Sequence, residues 1–210
     1  MSLYIWLIAA YLVGSLSFAI IVSKFMKIDD PRKYGSKNAG ATNVMRSGNK
    51  TAAIFTLIGD FLKGLIVVLL AKHFLAPIEG HDALVALCGI LVVVGHVYPI
   101  FFKFKGGKGV ATAIGVILGF NFIVALLLIA TWLIIFKISK VSSLSALIAT
   151  ALAPLYAYII MGNSSYFAGV LVISFFVLYK HKTNIIRLIK GQEHKFNGSK
   201  SDSLDNTNKD

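Results

Sequence analysis

The chain contains an uncharged stretch, VATAIGVILGFNFIVALLLIATWLIIF, that runs from Val110 to Phe136. A helix that crosses a membrane needs roughly 20 apolar residues. This stretch therefore predicts either one long tilted helix or two short helices that break near Gly119-Phe120-Asn121. Short helices at membrane depth are acceptable when protein shields their ends. The choice decides how often the chain crosses the membrane and on which side its later segments lie.

The rest of the chain has the composition of a membrane protein. Hydrophobic residues make up 57% of it and charged residues 14%, whereas a soluble domain has roughly 25% charged residues. The apolar excess predicts an all-α, polytopic helical bundle in lipid. Five further runs are candidate spans: Leu3–Val22, Ala52–Ala71, Leu84–Phe102, Leu144–Met161 and Tyr166–Leu178.

The distribution of lysine and arginine favours two short helices within Val110–Phe136. With the break, 19 of the 21 cations fall in segments on one side, and Lys72 alone lies in a loop on the other. One long helix would place the basic C-terminal segment on the opposite side, against the positive-inside rule. We therefore predict about seven transmembrane helices, two of them short, with the N-terminus outside and the C-terminus in the cytoplasm.

The two ends of the chain complete the predicted domain organisation. The first cation, Lys24, follows the first apolar run, so we expect a retained first helix and no cleaved signal peptide. Residues 1–196 are predicted to form a single membrane domain. Residues 197–210 are polar, which is typical of a disordered tail.

Three predicted cytoplasmic segments carry the residue types that bind anions. The first runs from Arg32 to Arg46 and contains neutral hydrogen-bonding side chains, while Arg46 offers a planar fork that suits phosphate. Its glycines would let the backbone approach an anion closely. The alternative is a solvated basic loop beside anionic lipid headgroups.

The second segment places a glycine-rich turn with two lysines, Lys105-Gly106-Gly107-Lys108-Gly109, directly before a helix. Helix N-termini and glycine turns expose unpaired N–H groups that attract anions. The spacing is not that of a nucleotide-binding P-loop. The alternative is a pair of lysines whose stems follow the end of a span toward water.

The third segment runs from Lys180 to Glu193. If it is helical, His181, Asn184 and Arg187 share one face because they lie three residues apart. Such a face could point at a site at headgroup depth. The alternative is a positively charged stop-transfer cluster, with Glu193 as a local charge partner.

Ionisable residues also occur inside the predicted spans. Asp60 and Lys63 lie three residues apart, so we expect them to pair with each other. His96 near a span end is more typical of a structural residue than of a ligand. The five histidines are scattered along the chain and Cys88 is the single cysteine, so the sequence predicts no metal centre.

These segments together resemble the bacterial membrane acyl-phosphate:glycerol-3-phosphate acyltransferases, the PlsY family. The likeness rests on Gly35 to Arg46, Gly95 to Gly109, His181 to Glu193 and the Asp60 to Gly64 element, in that family's order. It implies glycerol 3-phosphate as acceptor, acyl phosphate as donor, a product that is 1-acylglycerol 3-phosphate, and no cofactor. It also implies a bacterial inner-membrane location with the site on the cytoplasmic face, and leaves open a soluble enzyme that delivers acyl phosphate.

The resemblance also directs the assignment of roles within the three segments. Five residues are expected to be catalytic: Ser36, Arg46, Lys105, His181 and Asn184. Nine are expected to bind substrate or its phosphate: Asn38, Thr42, Asn43, Gly106, Gly107, Lys108, Gly109, Arg187 and Glu193. The proton of the acceptor hydroxyl could pass to His181 or to a substrate phosphate.

Two other classes of function compete with an enzyme. A transporter of a phosphorylated anion would also need a basic, glycine-rich vestibule, but it should carry polar groups through to the outer side. A non-catalytic scaffold would leave the serine, asparagine and glycine chemistry unused. A nucleic-acid partner is not expected, because the apolar runs leave no room for a soluble basic domain.

Overall fold

The computed structural model describes residues 3–195, so the predicted polar tail at 197–210 lies outside the described part. Within it the chain is all-helical and contains no strand, as predicted. The α-helices, in chain order, are α1 (Leu3–Gly14), α2 (Phe18–Phe25), α3 (Ala41–Met45), α4 (Lys50–Leu75), α5 (His81–Val97), α6 (Val110–Phe120), α7 (Phe122–Ser139), α8 (Ser142–Met161), α9 (Ser165–Lys180) and α10 (Lys182–Ile189). A 3-10 turn, Ile100–Phe102, follows α5.

The predicted break in the long uncharged stretch lies at Asn121. Its backbone is extended, with φ −154°, and its side-chain oxygen accepts hydrogen bonds from the N–H groups of Ile123 and Val124 at 2.9 and 3.1 Å. An asparagine that caps a helix in this way satisfies two otherwise unpaired donors. The chain therefore ends α6 and starts α7 at this residue.

The prediction that both helices around the break are short was wrong for the second one. Helix α6 has 11 residues, but α7 has 18 and continues past Phe136 to Ser139. It ends only at Lys140, whose left-handed φ of 58° stops the helix. Lys137 lies in the last turn of α7, where its cation suits the helix dipole.

The first predicted span, Leu3–Val22, is broken rather than continuous. Helix α1 ends at Gly14 and α2 starts at Phe18, with a bend of 49° between them. The break frees the carbonyl of Leu16, which accepts a hydrogen bond from Lys63 Nζ at 2.7 Å. A non-helical carbonyl at membrane depth is tolerated when protein supplies a donor in this way.

Among residues 3–195 the structure contains several apolar helical segments, of which four to six could cross a membrane by length and composition. Helices α4, α7 and α8 and the segment His81–Phe102 are long and apolar enough to cross a membrane. The bent pairs α1–α2 and α9–α10 could each form one further span, and α6 is the shorter apolar helix.

Helix α6 packs closely against α4, and glycines on both helices permit this. A methyl group at Gly64 would lie 2.4 Å from the carbonyl oxygen of Thr112, and one at Gly115 would lie 2.1 Å from that of Phe61. Small residues let membrane helices approach at backbone distance. This packing sets the position of the N-terminus of α6, and hence of the glycine turn that precedes it.

Candidate active site

A cavity of about 730 Å³ lies where the separate segments of the chain converge. It is formed by the loop before α4, the start of α6, the start of α8, the corner between α9 and α10, and the last described residues. The three sequence segments that we predicted to bind anions therefore share one space. Ten of the predicted site residues line it: Ser36, Asn38, Thr42, Asn43, Arg46, Lys108, Gly109, His181, Asn184 and Glu193.

Asn43 holds the first loop in shape. Its side-chain oxygen accepts the N–H of Ser36 at 2.9 Å, and its amide donates to the carbonyls of Pro31 at 2.6 Å and Tyr34 at 3.2 Å. The side chain is almost fully buried. These three bonds commit the Asn43 amide to the loop that carries Ser36, and its expected role in binding phosphate stays a prediction.

Arg46 is the arginine of the first loop that remains available to a ligand. It is partly buried and lines the cavity. Among residues 3–195, its guanidinium has no hydrogen bond or ion pair to another side chain. Arg32, in contrast, is paired with Asp30 at 2.7 Å. An unpaired guanidinium facing a cavity can bind a phosphate through two parallel hydrogen bonds.

The glycine turn lies against the end of α5. The N–H of Gly107 donates to the carbonyl of His96 at 3.2 Å, and Gly109 has the left-handed φ of 89° that glycine adopts readily. Gly106 and Gly107 do not line the cavity, whereas Lys108 and Gly109 do. The turn thus places its last two residues, and the start of α6, at the cavity.

Lys105, which we expected to be catalytic, is exposed and does not line the cavity. Lys108, three residues further along the turn, is partly buried and lines the cavity. The structure therefore brings Lys108, and not Lys105, to the cavity, and the catalytic role of Lys105 stays a prediction.

A chain of hydrogen bonds joins the second and third segments. Lys108 Nζ donates to Asn184 Oδ1, and Asn184 Nδ2 donates to Glu193 Oε1 at 2.7 Å. Glu193 also accepts from Ser143 Oγ at 2.8 Å and from Arg187 Nε at 2.7 Å. Arg187 does not line the cavity and is a partner of Glu193, and its expected role in binding substrate stays a prediction.

The side chains that hydrogen-bond to Glu193 keep its carboxyl group ionised. Burial raises the pKa of its carboxyl, but hydrogen bonds from Arg187, Ser143 and Asn184 outweigh burial and hold the pKa below its ordinary value. An ionised Glu193 accepts from all three donors at once. It thereby orients the Asn184 amide so that its oxygen faces Lys108.

His181 occupies the corner between α9 and α10 and is buried. Its Nδ1 lies 2.7 Å from the carbonyl oxygen of Val177. Because a carbonyl only accepts, Nδ1 carries the proton of this bond, and Nε2 of the neutral ring is left as an acceptor. The imidazole can therefore take a proton from a ligand in the cavity.

The sequence analysis missed two serines at the start of α8. Ser142 and Ser143 line the cavity, and Ser142 Oγ lies 3.2 Å from Thr42 Oγ1. The signal available was their position two and three residues after Lys140, at the predicted cytoplasmic end of a span. Serines at a helix start are ordinary capping residues, so sequence alone did not separate them from structural caps.

The other wall of the cavity is apolar. It consists of side chains from α4, α6 and α7: Leu57, Ile58, Phe61, Ile114, Ile129, Trp132 and Leu133. The cavity thus joins a polar, cationic end to an apolar surface. In residues 3–195, no group of three or more metal-ligating side chains could hold a metal ion.

The chain is similar to known proteins along most of its length. The model of the family "Glycerol-3-phosphate acyltransferase" matches residues 4–191. A protein of that name from Chromobacterium violaceum is 51% identical over 202 residues, which cover 95% of this chain and 97% of the relative. One from Neisseria meningitidis is 51% identical over 191 residues, which cover 91% and 96%.

Two crystal structures of PlsY, an integral membrane glycerol 3-phosphate acyltransferase, have the same fold. The glycerol 3-phosphate form is 38% identical, with a TM-score of 0.86 and coverage of 93% of this chain and 96% of that one. The lysophosphatidic acid form is 37% identical, with a TM-score of 0.85 and the same coverage. Together with the family match, these likenesses establish that the chain belongs to the glycerol-3-phosphate acyltransferase family.

Proposed function

We propose that the protein transfers an acyl group from acyl phosphate to the 1-hydroxyl of glycerol 3-phosphate, forming 1-acylglycerol 3-phosphate and inorganic phosphate. The observation that carries the proposal is one cavity whose polar end gathers Arg46, Lys108 and His181 from three distant segments and whose wall is apolar. Two phosphates and one acyl chain require such a combination. The named ligand forms of the PlsY structures support the acceptor and the product.

The reaction needs positioning more than a nucleophilic side chain. The acceptor oxygen forms a bond to the acyl carbon, the bond from that carbon to the phosphate oxygen breaks, and phosphate leaves with the electron pair. Acyl phosphate is a mixed anhydride, so its phosphate is already a good leaving group. Holding the two reactants in line can lower the barrier by about 7–11 kcal/mol.

The cationic end of the cavity offsets the repulsion between the two phosphorylated substrates. Arg46 and Lys108 supply the positive charges, and Ser36, Asn38 and Thr42 offer neutral groups at the same surface. Donors that are already in place where negative charge develops stabilise the transition state without reorganisation. The acyl chain would lie along the apolar wall formed by α4, α6 and α7.

The hydroxyl proton has two candidate acceptors, His181 Nε2 and an oxygen of a substrate phosphate. We expect His181→Gln to lower the turnover number by about 100-fold or more, as loss of a positioned general base does. The pH–rate profile identifies the acceptor. If His181 is the base, the acidic limb of the profile disappears in the variant. Full turnover with an unaltered profile would remove His181 from the mechanism.

The charge state of Lys108 predicts a pH dependence. Burial, reinforced by the neighbouring Arg187 cation, lowers the pKa of the Lys108 ammonium to about 8. The cation is present below this pH and is lost above it, so kcat/KM should fall as the pH rises through about 8. Lys108→Arg should move that fall to higher pH because arginine stays protonated. An alkaline limb that is unchanged in Lys108→Arg would contradict the assignment.

We place the site on the cytoplasmic face of a bacterial inner membrane, with the N-terminus outside. The support is the charge distribution, since the segments that meet at the cavity are those that hold most of the lysine and arginine. A soluble enzyme that makes acyl phosphate would then have direct access to the site. Labelling of single cysteines from either side of sealed vesicles would test this orientation.

A single assay tests the function itself. Purified protein in detergent receives acyl phosphate and glycerol 3-phosphate, and the release of phosphate and the formation of acylglycerol phosphate are measured. An acyltransferase turns over without a sealed membrane. A transporter would show no product in detergent but would move glycerol 3-phosphate into vesicles, and a scaffold would do neither.

A further inference from the structure

Three ionisable side chains are buried together beside the cavity, and the mechanism above uses none of them. Asp60 and Lys63 in α4 form an ion pair of 2.8 Å, and His96 Nδ1 in α5 lies 3.3 Å from Asp60 Oδ1. All three residues are 6% exposed or less, and Asp60 and His96 line the cavity. Ionisable groups within membrane spans are costly and typically serve function.

Lys63 connects this cluster to the break in the first span. Its ammonium donates to the carbonyl of Leu16 at 2.7 Å, across 47 residues of sequence. That carbonyl has no helical partner, because α1 has ended and α2 has not begun. The Asp60–Lys63 pair therefore ties α4 to the point where the first span bends.

His96 connects the cluster to the glycine turn and to the first loop. A methyl group at Gly107 would lie 2.2 Å from His96 Nε2 and 2.6 Å from the carbonyl oxygen of Ala39. Gly107 is thus held between the imidazole and the first loop, and its N–H donates to the His96 carbonyl. The position of the His96 ring sets the gap between the two loops.

We propose that Asp60, Lys63 and His96 form a positioning network that sets the separation of the two phosphate-binding loops, with Asp60 as the shared partner. The inference rests on the proposed function. Asp60 Oδ1 lies 3.3 Å from His96 Nδ1, and the His96 ring lies against Gly107, the neighbour of Lys108. Asp60 and His96 line the cavity, and the network acts through the geometry of the turn.

The test separates this role from a merely structural ion pair. Asp60→Asn alone leaves a buried lysine without a counterion and is expected to be unstable. The double variant Asp60→Asn/Lys63→Met removes both charges, and replacing a buried pair by neutral groups is often tolerated. We expect its melting temperature in detergent to lie above that of Asp60→Asn but below that of the wild type, because the carbonyl of Leu16 loses its donor.

The kinetics of the double variant distinguish a positioning role from a merely structural ion pair. We expect kcat/KM to remain lower than that of the wild type, between about 10-fold and the 100-fold that a misplacement of about 1 Å can cost. The loss should appear mainly as a higher KM for one of the two phosphorylated substrates. His96→Phe should raise the same KM, and adding it to the double variant should cause little further loss, since both act through the His96 ring.

A matched control is available at the far end of the bundle. Lys72 Nζ donates to the carbonyl of Phe120 at 3.3 Å, as Lys63 does to Leu16. Lys72→Met should lower the melting temperature and leave both KM values unchanged. A double variant that regains stability together with wild-type KM values would overturn the network. Absence of turnover in the wild type would instead refute the proposed function.

Discussion

Replacing Arg46 with alanine should lower the turnover number of acyl transfer by about 100- to 1,000-fold, as removal of one donor to a developing anion does. Arg46 lines the cavity, and its guanidinium has no partner among the side chains of residues 3–195. Its charge is therefore available to a substrate phosphate. The measurement is phosphate release by purified protein at saturating concentrations of both substrates.

Two further variants define what Arg46 contributes. Arg46→Lys keeps the charge but loses the planar fork, so it should recover only part of the rate. Lys50→Ala removes an exposed cation at the start of α4 that does not line the cavity, and it should retain wild-type turnover. Near-native turnover in a correctly folded Arg46→Ala protein would remove Arg46 from the site.

Replacing Lys108 with alanine is the second substitution with a large expected effect, again about 100-fold or more. The change removes a cation at the cavity and also leaves Asn184 Oδ1 without its donor. The amide of Asn184 would then be free to turn away from the orientation that Glu193 imposes. Both consequences lower turnover, and kcat measured in detergent would record them.

The comparison with Lys105 makes the Lys108 prediction specific. The two lysines lie three residues apart in the same turn, but Lys105 is exposed and does not line the cavity. Lys105→Ala should therefore have a much smaller effect than Lys108→Ala. Equal losses in the two variants would mean that the turn adopts another conformation when substrate is bound, and the assignment of Lys108 would fail.

Several features of the fold and site were predictable from local sequence. Long uncharged runs predicted membrane helices, and the distribution of cations favoured a break near Asn121, which the structure contains. The pairing of Asp60 with Lys63 followed from a spacing of three residues on a helix. The convergence of the three anion-binding segments was inferred because the distribution of lysine and arginine predicts that all three lie on the same side of the membrane.

Other features depended on contacts that no local pattern reports. The first span was expected to run from Leu3 to Val22, yet it bends, and Lys63 satisfies the freed carbonyl of Leu16. The hydrogen bonds by which Asn43 supports its own loop were not predicted. Ser142 was not predicted at all, although it lies beside Thr42 in the cavity.

The sequence by itself determined that the chain is a helical membrane protein, which segments carry anion-binding groups, and the family that those segments resemble. Hydropathy and charge are sums over neighbouring residues, so they can be evaluated along the chain. Only the tertiary structure decided which side chains face the cavity. Lys108 and Asn184 are 76 residues apart, and the choice of Lys108 over Lys105 depends on how α5, α6 and α10 pack against one another.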